Sequence, residues 1–225
     1  MSESAGDALL AELERRFVVV AERVEAGGTA VMLRKPRSAE ELISEDDFAG
    51  DERLPYWADL WPAARVLAAE VAAEAGRGAA LLELGCGLGL VTVAAMRAGY
   101  AVLATDYYAD ALRFTRANAW LAVGREPETR LVDWRALPAD LGTFRRVLAA
   151  DVLYERAYGA LVAQVLSRTL ARRGVATVAD PGRVAAGDFL RACAEHGLEV
   201  RGTEERPFEE GAIRQRITLH HIARR

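Results

Sequence analysis

The sequence has 225 residues, of which 52% are apolar, and a formal net charge of −4 from 29 basic and 33 acidic side chains. This length and apolar content are sufficient for one domain with a substantial buried core. The mild negative charge argues against a protein that binds nucleic acid through its phosphates, because that function needs a basic surface. We therefore expect no nucleic-acid partner.

Several other classes are disfavoured by the cysteine, histidine and apolar patterns. Cys86 and Cys193 lie far apart and the N-terminus lacks the apolar run of a signal sequence, so a cytoplasmic location is expected. The apolar stretches fall short of the roughly 20 residues of a membrane span, so no membrane partner is expected. His220 and His221 are adjacent, so a strand would direct them to opposite faces. We expect a monomer without a metal site.

The chain begins with a segment that does not follow the pattern of the rest. Residues 17–20 and 29–33 are apolar runs that predict a small hairpin. Ser38, with Glu41 three residues later, predicts a capping box at the start of a short helix. The stretch 48–55 is predicted to be a connector. We therefore expect an N-terminal extension that packs on the core.

Short apolar strands and amphipathic helices then alternate. The predicted strands span residues 79–84, 101–105, 129–132, 146–150 and 174–179, and the predicted helices span residues 62–75, 89–98, 108–123, 156–171 and 184–196. Residues 198–205 and 213–222 have no helix between them and predict an antiparallel pair. The pattern indicates an α/β fold with a Rossmann-like, open seven-stranded, mostly parallel sheet and helices on both faces. It divides the chain into an extension over residues 1–54, with its hairpin and short helix, and a core domain over residues 55–225.

A glycine-rich loop follows the first strand of the core domain. The segment Leu81-Leu-Glu-Leu-Gly-Cys-Gly-Leu-Gly89 runs from an apolar strand directly into glycines at positions 85, 87 and 89 and then into a helix. Glycines at such a junction permit a tight turn and let backbone N–H groups approach a ligand closely. A tight turn without a ligand would need the same residues, so the glycines alone do not decide between the two.

Two acidic residues near this loop help to identify the ligand that it would bind. Glu83 precedes Gly85 by two residues, and Asp106 ends the next strand, where a carboxylate can accept hydrogen bonds from ribose hydroxyls. Dinucleotide-binding sites use the spacing Gly-x-Gly-x-x-Gly, whereas this loop reads Gly-x-Gly-x-Gly. The compact pattern with a preceding acid resembles the motif of class I methyltransferases, which implies S-adenosylmethionine as the cofactor.

Two further stretches follow strands that end at the same edge of the sheet. Asp133 and Trp134 follow the third strand, where they would contact adenine; the alternative is an acid that caps a helix and a packed indole. Asp151 follows the fourth strand, which brings it beside the glycine loop at the switch point of the sheet. It is a candidate for a carboxylate that binds the substrate, and the alternative is an N-cap for the helix near residue 156.

The stretches Pro55-Tyr-Trp-Ala-Asp-Leu-Trp-Pro62, Asp151-Val-Leu-Tyr-Glu155 and Asp180-Pro-Gly-Arg183 carry a family resemblance. With the glycine loop, they resemble the seven-strand protein lysine methyltransferases, and among these the branch that modifies the β-subunit of the electron transfer flavoprotein. The likeness spans about residues 30 to 220. It implies methyl transfer to a lysine side chain of a protein.

The resemblance also implies which residues form the site. Those expected at the cofactor are Trp57 and Trp61 as its cover, Glu83, Gly85, Gly87 and Gly89 at its methionine end, Asp106 at its ribose, Asp133 and Trp134 at its adenine, and Asp151. Those expected at the acceptor are Asp151, Tyr154, Glu155 and Arg183, with Asp151 and Tyr154 in the catalytic roles. A lysine near pH 7.4 must lose its proton at a cost of about 4 kcal/mol. An anion favours the ammonium form, so the hypothesis gives Asp151 the role of orienting the lysine.

Three alternatives remain open at this stage. The same fold and glycine loop serve small-molecule N-methyltransferases, whose acceptors are amines or pyridines, so a small-molecule acceptor is possible. A nucleic-acid methyltransferase is disfavoured because an Asn-Pro-Pro-Tyr-like element is missing from the sequence. A binding module without catalysis is disfavoured because the glycine loop and both acids, Asp106 and Asp151, are present.

Overall fold

A seven-stranded sheet forms the centre of the protein in the computed structural model, which describes residues 5–26, 28–42 and 55–225. Its strands are β3 (Ala80–Leu84), β4 (Ala101–Asp106), β5 (Glu128–Leu131), β6 (Phe144–Ala150), β7 (Leu170–Asp180), β8 (Leu198–Glu210) and β9 (Ile213–Arg224). The order across the sheet is β5-β4-β3-β6-β7-β9-β8. All neighbours are parallel except the two pairs that contain β9. The predicted mostly parallel sheet and the antiparallel C-terminal pair are confirmed.

Helices cover both faces of this sheet. They are α2 (Pro62–Ala72), α3 (Leu90–Arg97), α4 (Ala109–Val123), α5 (Arg156–Thr169) and α6 (Ala186–Glu195). One apolar core lies under α2, α3 and α4, and the other lies under α5 and α6. Because both faces are covered, the central strands are apolar on both sides, as continuous runs such as Leu81-Leu82 indicated.

The N-terminal extension consists of helix α1 (Ala5–Arg16) and a hairpin of β1 (Val19–Ala26) and β2 (Thr29–Pro36). The hairpin was predicted, but its first strand begins at residue 19 and not at residue 17. Phe17 immediately follows α1, and its ring packs against Phe114 at a centroid distance of 5.3 Å. The phenyl ring therefore packs against the core, and strand β1 starts two residues later.

The predicted capping box at Ser38 is wrong. The Ser38 hydroxyl accepts a hydrogen bond from the N–H of Glu40, two residues later, and the Glu41 carboxylate pairs with Arg37 instead of returning to Ser38. A short 3-10 turn follows at Glu40–Leu42. The rest of the predicted helix and the connector over 48–54 lie outside the described residues, as does the predicted boundary at residue 54.

The carboxamide of Asn118 on α4 joins the hairpin to the glycine loop. Its Oδ1 accepts the N–H of Arg34 at 2.6 Å, and its Nδ2 donates to the Arg34 carbonyl and to the Leu88 carbonyl, each at 2.9 Å. The side chain is fully buried. One buried amide thus satisfies three backbone groups, and it fixes the extension against the loop.

Replacing Asn118 by leucine is expected to lower the free energy of unfolding by about 3 kcal/mol, because the Arg34 N–H and the Arg34 and Leu88 carbonyls lose their partner at about 1 kcal/mol each. Urea unfolding of the purified variant measures this loss. The control is Gln164→Leu on the exposed face of α5, which changes an amide to the same side chain without a buried partner. Equal stability losses in the two variants would contradict the bridging role.

No helix among the described residues is both long enough and apolar enough to cross a membrane. Within the same ranges, no three side chains of the His, Cys, Asp or Glu type form a cluster suited to a metal ion.

Candidate active site

A cavity of about 350 Å³ opens where β3, β4 and β6 end at one edge of the sheet. This edge is where open α/β sheets bind ligands, at the point where the strand order reverses. Twelve of the residues predicted from the sequence line the cavity: Trp57, Trp61, Glu83, Gly85, Gly87, Asp106, Asp133, Trp134, Asp151, Tyr154, Glu155 and Arg183. Gly89 is not among the lining residues.

The three glycines of the loop have different neighbours, although all have positive φ. At Gly87 (φ +53°) an added Cβ would lie 3.2 Å from the carbonyl oxygen of Trp57, which also lines the cavity. At Gly89 (φ +82°) it would lie 2.9 Å from the Thr115 Cα on α4. Gly89 therefore lets α3 begin close to α4, and its role in the structure is packing between helices.

Replacing Gly87 by alanine is expected to weaken cofactor binding at least about tenfold, because the methyl group forces the loop and the Trp57 backbone apart. Calorimetric titration with S-adenosylmethionine measures the effect. Gly78→Ala is the matched control, since Gly78 also has positive φ (+78°) but has no atom within 4 Å of the added Cβ. A similar loss of affinity in both variants would show that backbone strain, not the contact with Trp57, is responsible.

Asp106 holds the glycine loop closed. Its Oδ2 accepts the N–H of Gly87 and its Oδ1 accepts the N–H of Tyr108, both at 2.9 Å. Burial raises the pKa of Asp106 to about 6, although these hydrogen bonds oppose the increase. Each carboxylate oxygen can accept a second hydrogen bond, so the residue predicted to bind ribose also organises the loop.

Glu83 is a buried acid beneath the loop. It is 3% exposed, and the Thr92 hydroxyl donates a hydrogen bond to it. Burial raises the pKa of Glu83 to about 8, and the nearby Asp106 carboxylate adds to the increase. A buried carboxylate of this kind favours a cationic ligand, because a positive charge beside it restores the stability of its ionised form.

Asp133 and Trp134 have the capping and packing contacts of the alternative interpretation, and both also line the cavity. The Asp133 carboxylate caps the short turn Trp134–Ala136 by accepting the N–H of Arg135, and it also pairs with the Arg135 guanidinium. The Trp134 ring packs edge-on against Tyr158 at 5.6 Å. Both residues nevertheless line the cavity, so capping and packing hold in place the surface that they present to it.

A row of aromatic rings forms one side of the cavity. Tyr154 lies between Tyr56 and Tyr158, with ring centroids 5.1 and 5.0 Å away, and Tyr56 continues the row to Trp61 at 6.0 Å. Burial raises the pKa of Tyr154 above its ordinary value, with a further contribution from Tyr158, so the phenol keeps its proton at neutral pH. Sequence reasoning missed Tyr56 and Tyr158. The available signal for Tyr56 was its place beside Trp57 in the stretch Pro55–Pro62; no sequence pattern marked Tyr158.

Asp151 is a buried acid that lines the same cavity. Its φ is +56°, a left-handed conformation that few residues other than glycine, asparagine and aspartate adopt readily, and its N–H donates to the Ala179 carbonyl. Glu155, which is exposed, occupies the N-cap position of α5. The alternative interpretation of Asp151 as the N-cap is therefore wrong, because the chain makes one further turn before the helix begins.

Arg183 covers the Asp151 carboxylate. Its Nε and Nη2 donate to the two carboxylate oxygens at 2.6 and 3.0 Å, and the Asp151 side chain is only 4% exposed. The guanidinium lies 5.3 Å from the centre of the Trp61 ring. Asp180, missed from the sequence, positions the loop by accepting the N–H groups of Gly182 and Arg183. The Asp-Pro-Gly order was its signal, because aspartate often begins turns this way.

The residues present fit S-adenosylmethionine. The cavity volume lies in the range of sites for small ligands and cofactors, and Gly85 and Gly87 line it without side chains that would fill the space. The buried Glu83 suits the ammonium group of an amino acid, and the aromatic rings suit a nucleobase or a cation. The negatively charged phosphates of a dinucleotide would instead lie near the carboxylates of Glu83 and Asp106, which repel them.

The comparison with known proteins agrees with this geometry. Residues 54–193 match the family model described as lysine methyltransferase. The electron transfer flavoprotein beta subunit lysine methyltransferase of Xenopus laevis is 29% identical over 136 residues, which are 57% of this chain and 53% of that protein. The chain thus matches about half the length of this relative.

Solved structures show the same fold at lower identity. The magnesium protoporphyrin IX methyltransferase of Synechocystis with bound SAM has a TM-score of 0.57 at 18% identity, covering 83% of this chain and 97% of that chain. A TehB-like SAM-dependent methyltransferase from Corynebacterium glutamicum has a TM-score of 0.55 at 21% identity, covering 80% and 94%. The family match, which covers more than half of the chain, shows that the protein belongs to the lysine methyltransferase family, and its fold is the one seen in these solved methyltransferases.

Proposed function

We propose that this protein transfers a methyl group from S-adenosylmethionine to the side-chain amine of a lysine in a protein substrate. The observation that carries the proposal is the buried carboxylate of Asp151, which lines a cavity with several aromatic side chains and holds a cation, Arg183. A site that binds a guanidinium between a carboxylate and an indole has the chemistry to bind an ammonium. The family and the Xenopus laevis relative support the same acceptor class.

The cofactor residues of the proposal are those around the glycine loop. Glu83 and the backbone of Gly85 and Gly87 hold the methionine end, and Asp106 accepts from the ribose hydroxyls. Asp133 and Trp134 contact the adenine, while Trp57 and Trp61 exclude water from above. These placements rest on the shared cavity and on the raised pKa of Glu83, which favours a cation there.

The bound cofactor supplies an electrophilic methyl group on a cationic sulfur, so the protein has to align the amine and keep water away. Asp151 orients the lysine, and the protonated Tyr154 contributes a hydrogen bond and an aromatic face. Deprotonating a lysine near pH 7.4 costs about 4 kcal/mol in water, and burial in the cavity reduces that cost because it disfavours the ammonium. Glu155 lies at the exposed mouth, where it meets the substrate.

The mouth of the cavity favours a long side chain over an enclosed small molecule. Tyr56 is 38% exposed, and the Arg183 side chain is 33% exposed. A lysine of a folded protein can enter such an opening while its backbone stays outside. A small amine or pyridine would gain no contacts beyond the cavity. Methylation of such a small molecule is the alternative that the experiment below distinguishes.

The experiment combines the purified protein, S-adenosylmethionine with a labelled methyl group, and an extract of source cells that lack the enzyme. We expect label on one protein band, on a lysine that peptide mapping identifies. Heat-treated enzyme is the control for background labelling. Label that appears only in a new small-molecule product would contradict the protein substrate and indicate a small-molecule N-methyltransferase.

A further inference from the structure

The carboxylate of the acceptor acid, Asp151, is already paired with a cation. Both oxygens of Asp151 accept hydrogen bonds from Arg183, and only 4% of its side chain is exposed. A lysine ammonium that approaches from the mouth meets the guanidinium first, because Arg183 is the more exposed partner at 33%. A lysine that is to take the two-point position on the Asp151 carboxylate therefore requires the guanidinium to leave.

We infer that Arg183 is a resident cation of the acceptor site, which the substrate lysine displaces from Asp151, and that this exchange selects lysines in proteins over free amines. The inference rests on the proposed lysine acceptor. Arg183 is thus a specificity-determining residue for the reaction.

The loop around Arg183 suits such an exchange. Asp180 holds the backbone N–H of Arg183, and Gly182 has φ +89°, so the turn stays fixed whichever way the side chain points. The guanidinium lies over the Trp61 ring, and Arg183 is the solvent-exposed partner of its ion pair with Asp151. Its side chain can rotate outward without moving β7, which ends at Asp180.

The selectivity follows from the energy of the exchange. An amine that enters must replace a two-point, charge-assisted hydrogen bond and the contact of Arg183 with Trp61, and a free amine brings little else. A lysine in a protein brings the contacts of the neighbouring residues with the mouth, which offset the loss. Removing Arg183 should therefore improve the binding of a free amine.

The test measures the affinity of n-butylammonium, a primary ammonium on a four-carbon chain, by calorimetric titration. We expect Arg183→Ala to bind it at least about tenfold more tightly than the unchanged protein. Arg183→Gln retains a neutral hydrogen-bond donor to Asp151 and should show a smaller increase in affinity. This variant replaces Arg183→Ala in the test if the alanine variant folds poorly. Asp151→Asn combined with Arg183→Ala should abolish the gain, because the carboxylate is then absent.

Arg130→Ala is the matched control. The Arg130 side chain is also 33% exposed and pairs with an acid, Asp140, which lies outside the lining of the cavity. We expect it to leave the affinity for n-butylammonium unchanged. Equal or weaker binding by the Arg183 variants, compared with the unchanged protein, would overturn the inference.

The labelling experiment separates this result from the proposed function. Label on a protein lysine without any gain in n-butylammonium affinity would overturn the displacement of Arg183 and leave the lysine acceptor standing. A gain in affinity that depends on Asp151, with label only on a small molecule, would leave the displacement of Arg183 standing. It would overturn both the protein acceptor and the selection of protein lysines over free amines.

Discussion

Replacing Asp151 by asparagine is expected to reduce methyl transfer at least about a hundredfold, which corresponds to about 2.7 kcal/mol in the barrier, while cofactor affinity stays within a few-fold. Asparagine has the same shape and tolerates the left-handed φ of +56° found at this position. The substitution therefore removes the charge that orients the acceptor without disturbing the turn. Initial rates with the labelled protein substrate and calorimetric titration with S-adenosylmethionine measure the two quantities.

Asp140→Asn is the control for this experiment. Asp140 is an exposed acid that also pairs with an arginine, Arg130, and it lies outside the cavity lining. We expect its substitution to change neither rate nor affinity. If Asp151→Asn weakens cofactor binding as much as it slows transfer, Asp151 acts on the cofactor and its assignment to the acceptor fails.

Replacing Glu83 by glutamine is expected to weaken S-adenosylmethionine binding at least about tenfold at pH 8, and at the same pH to stabilise the protein without its cofactor. The first effect arises because the ammonium group of the cofactor loses a buried negative partner. The second arises because burial raises the pKa of Glu83 from 4.5 to about 8, so ionising it in the folded protein is costly.

The sign of the stability effect follows from proton binding. Between pH 4.5 and about 8 the folded protein keeps a proton on Glu83 that the unfolded chain has lost, so stability falls as pH rises through this window. The full loss, at most about 5 kcal/mol, is reached above pH 8. Glutamine cannot ionise, so the stability difference between variant and unchanged protein should increase with pH.

Urea unfolding at pH 6 and pH 8.5 measures this difference. Glu128→Gln, the same substitution at an exposed position on the edge strand β5, is the control. A stability difference for Glu83→Gln that is the same at both pH values would show that Glu83 is ionised throughout this range. Loss of stability together with loss of affinity would indicate a structural role alone.

The sequence was sufficient for most of the fold. The alternation of apolar strands with amphipathic helices specifies a parallel sheet covered on both sides, because each helix must bury its apolar face against a strand layer. Predictions failed at the start of the hairpin and at Ser38. Phe17 is apolar enough for a strand, but its ring completes a cluster with Phe114 from a distant helix. A local pattern carries no information about that distant partner.

The sequence also indicated many of the residues around the cavity. Parallel strands end at one edge and bring their following residues together, and the family resemblance added Trp57, Trp61, Tyr154, Glu155 and Arg183. Twelve of the thirteen predicted residues line it. The exception, Gly89, has the conformation of its neighbours in the loop but packs against Thr115. Glycine spacing specifies a tight turn, and it does not specify which side of the turn faces the ligand.

Only the tertiary structure decided how the charged groups of the site are paired. Asp151 and Arg183 are 32 residues apart in the chain and meet because β6 and β7 are neighbours in the sheet. In the same way, the carboxylate of Asp106 is shared with the backbone of Gly87, 19 residues away. Sequence patterns supply the residue types that chemistry needs. The pairing of these residues depends on distances between elements, which the packing of the whole core sets.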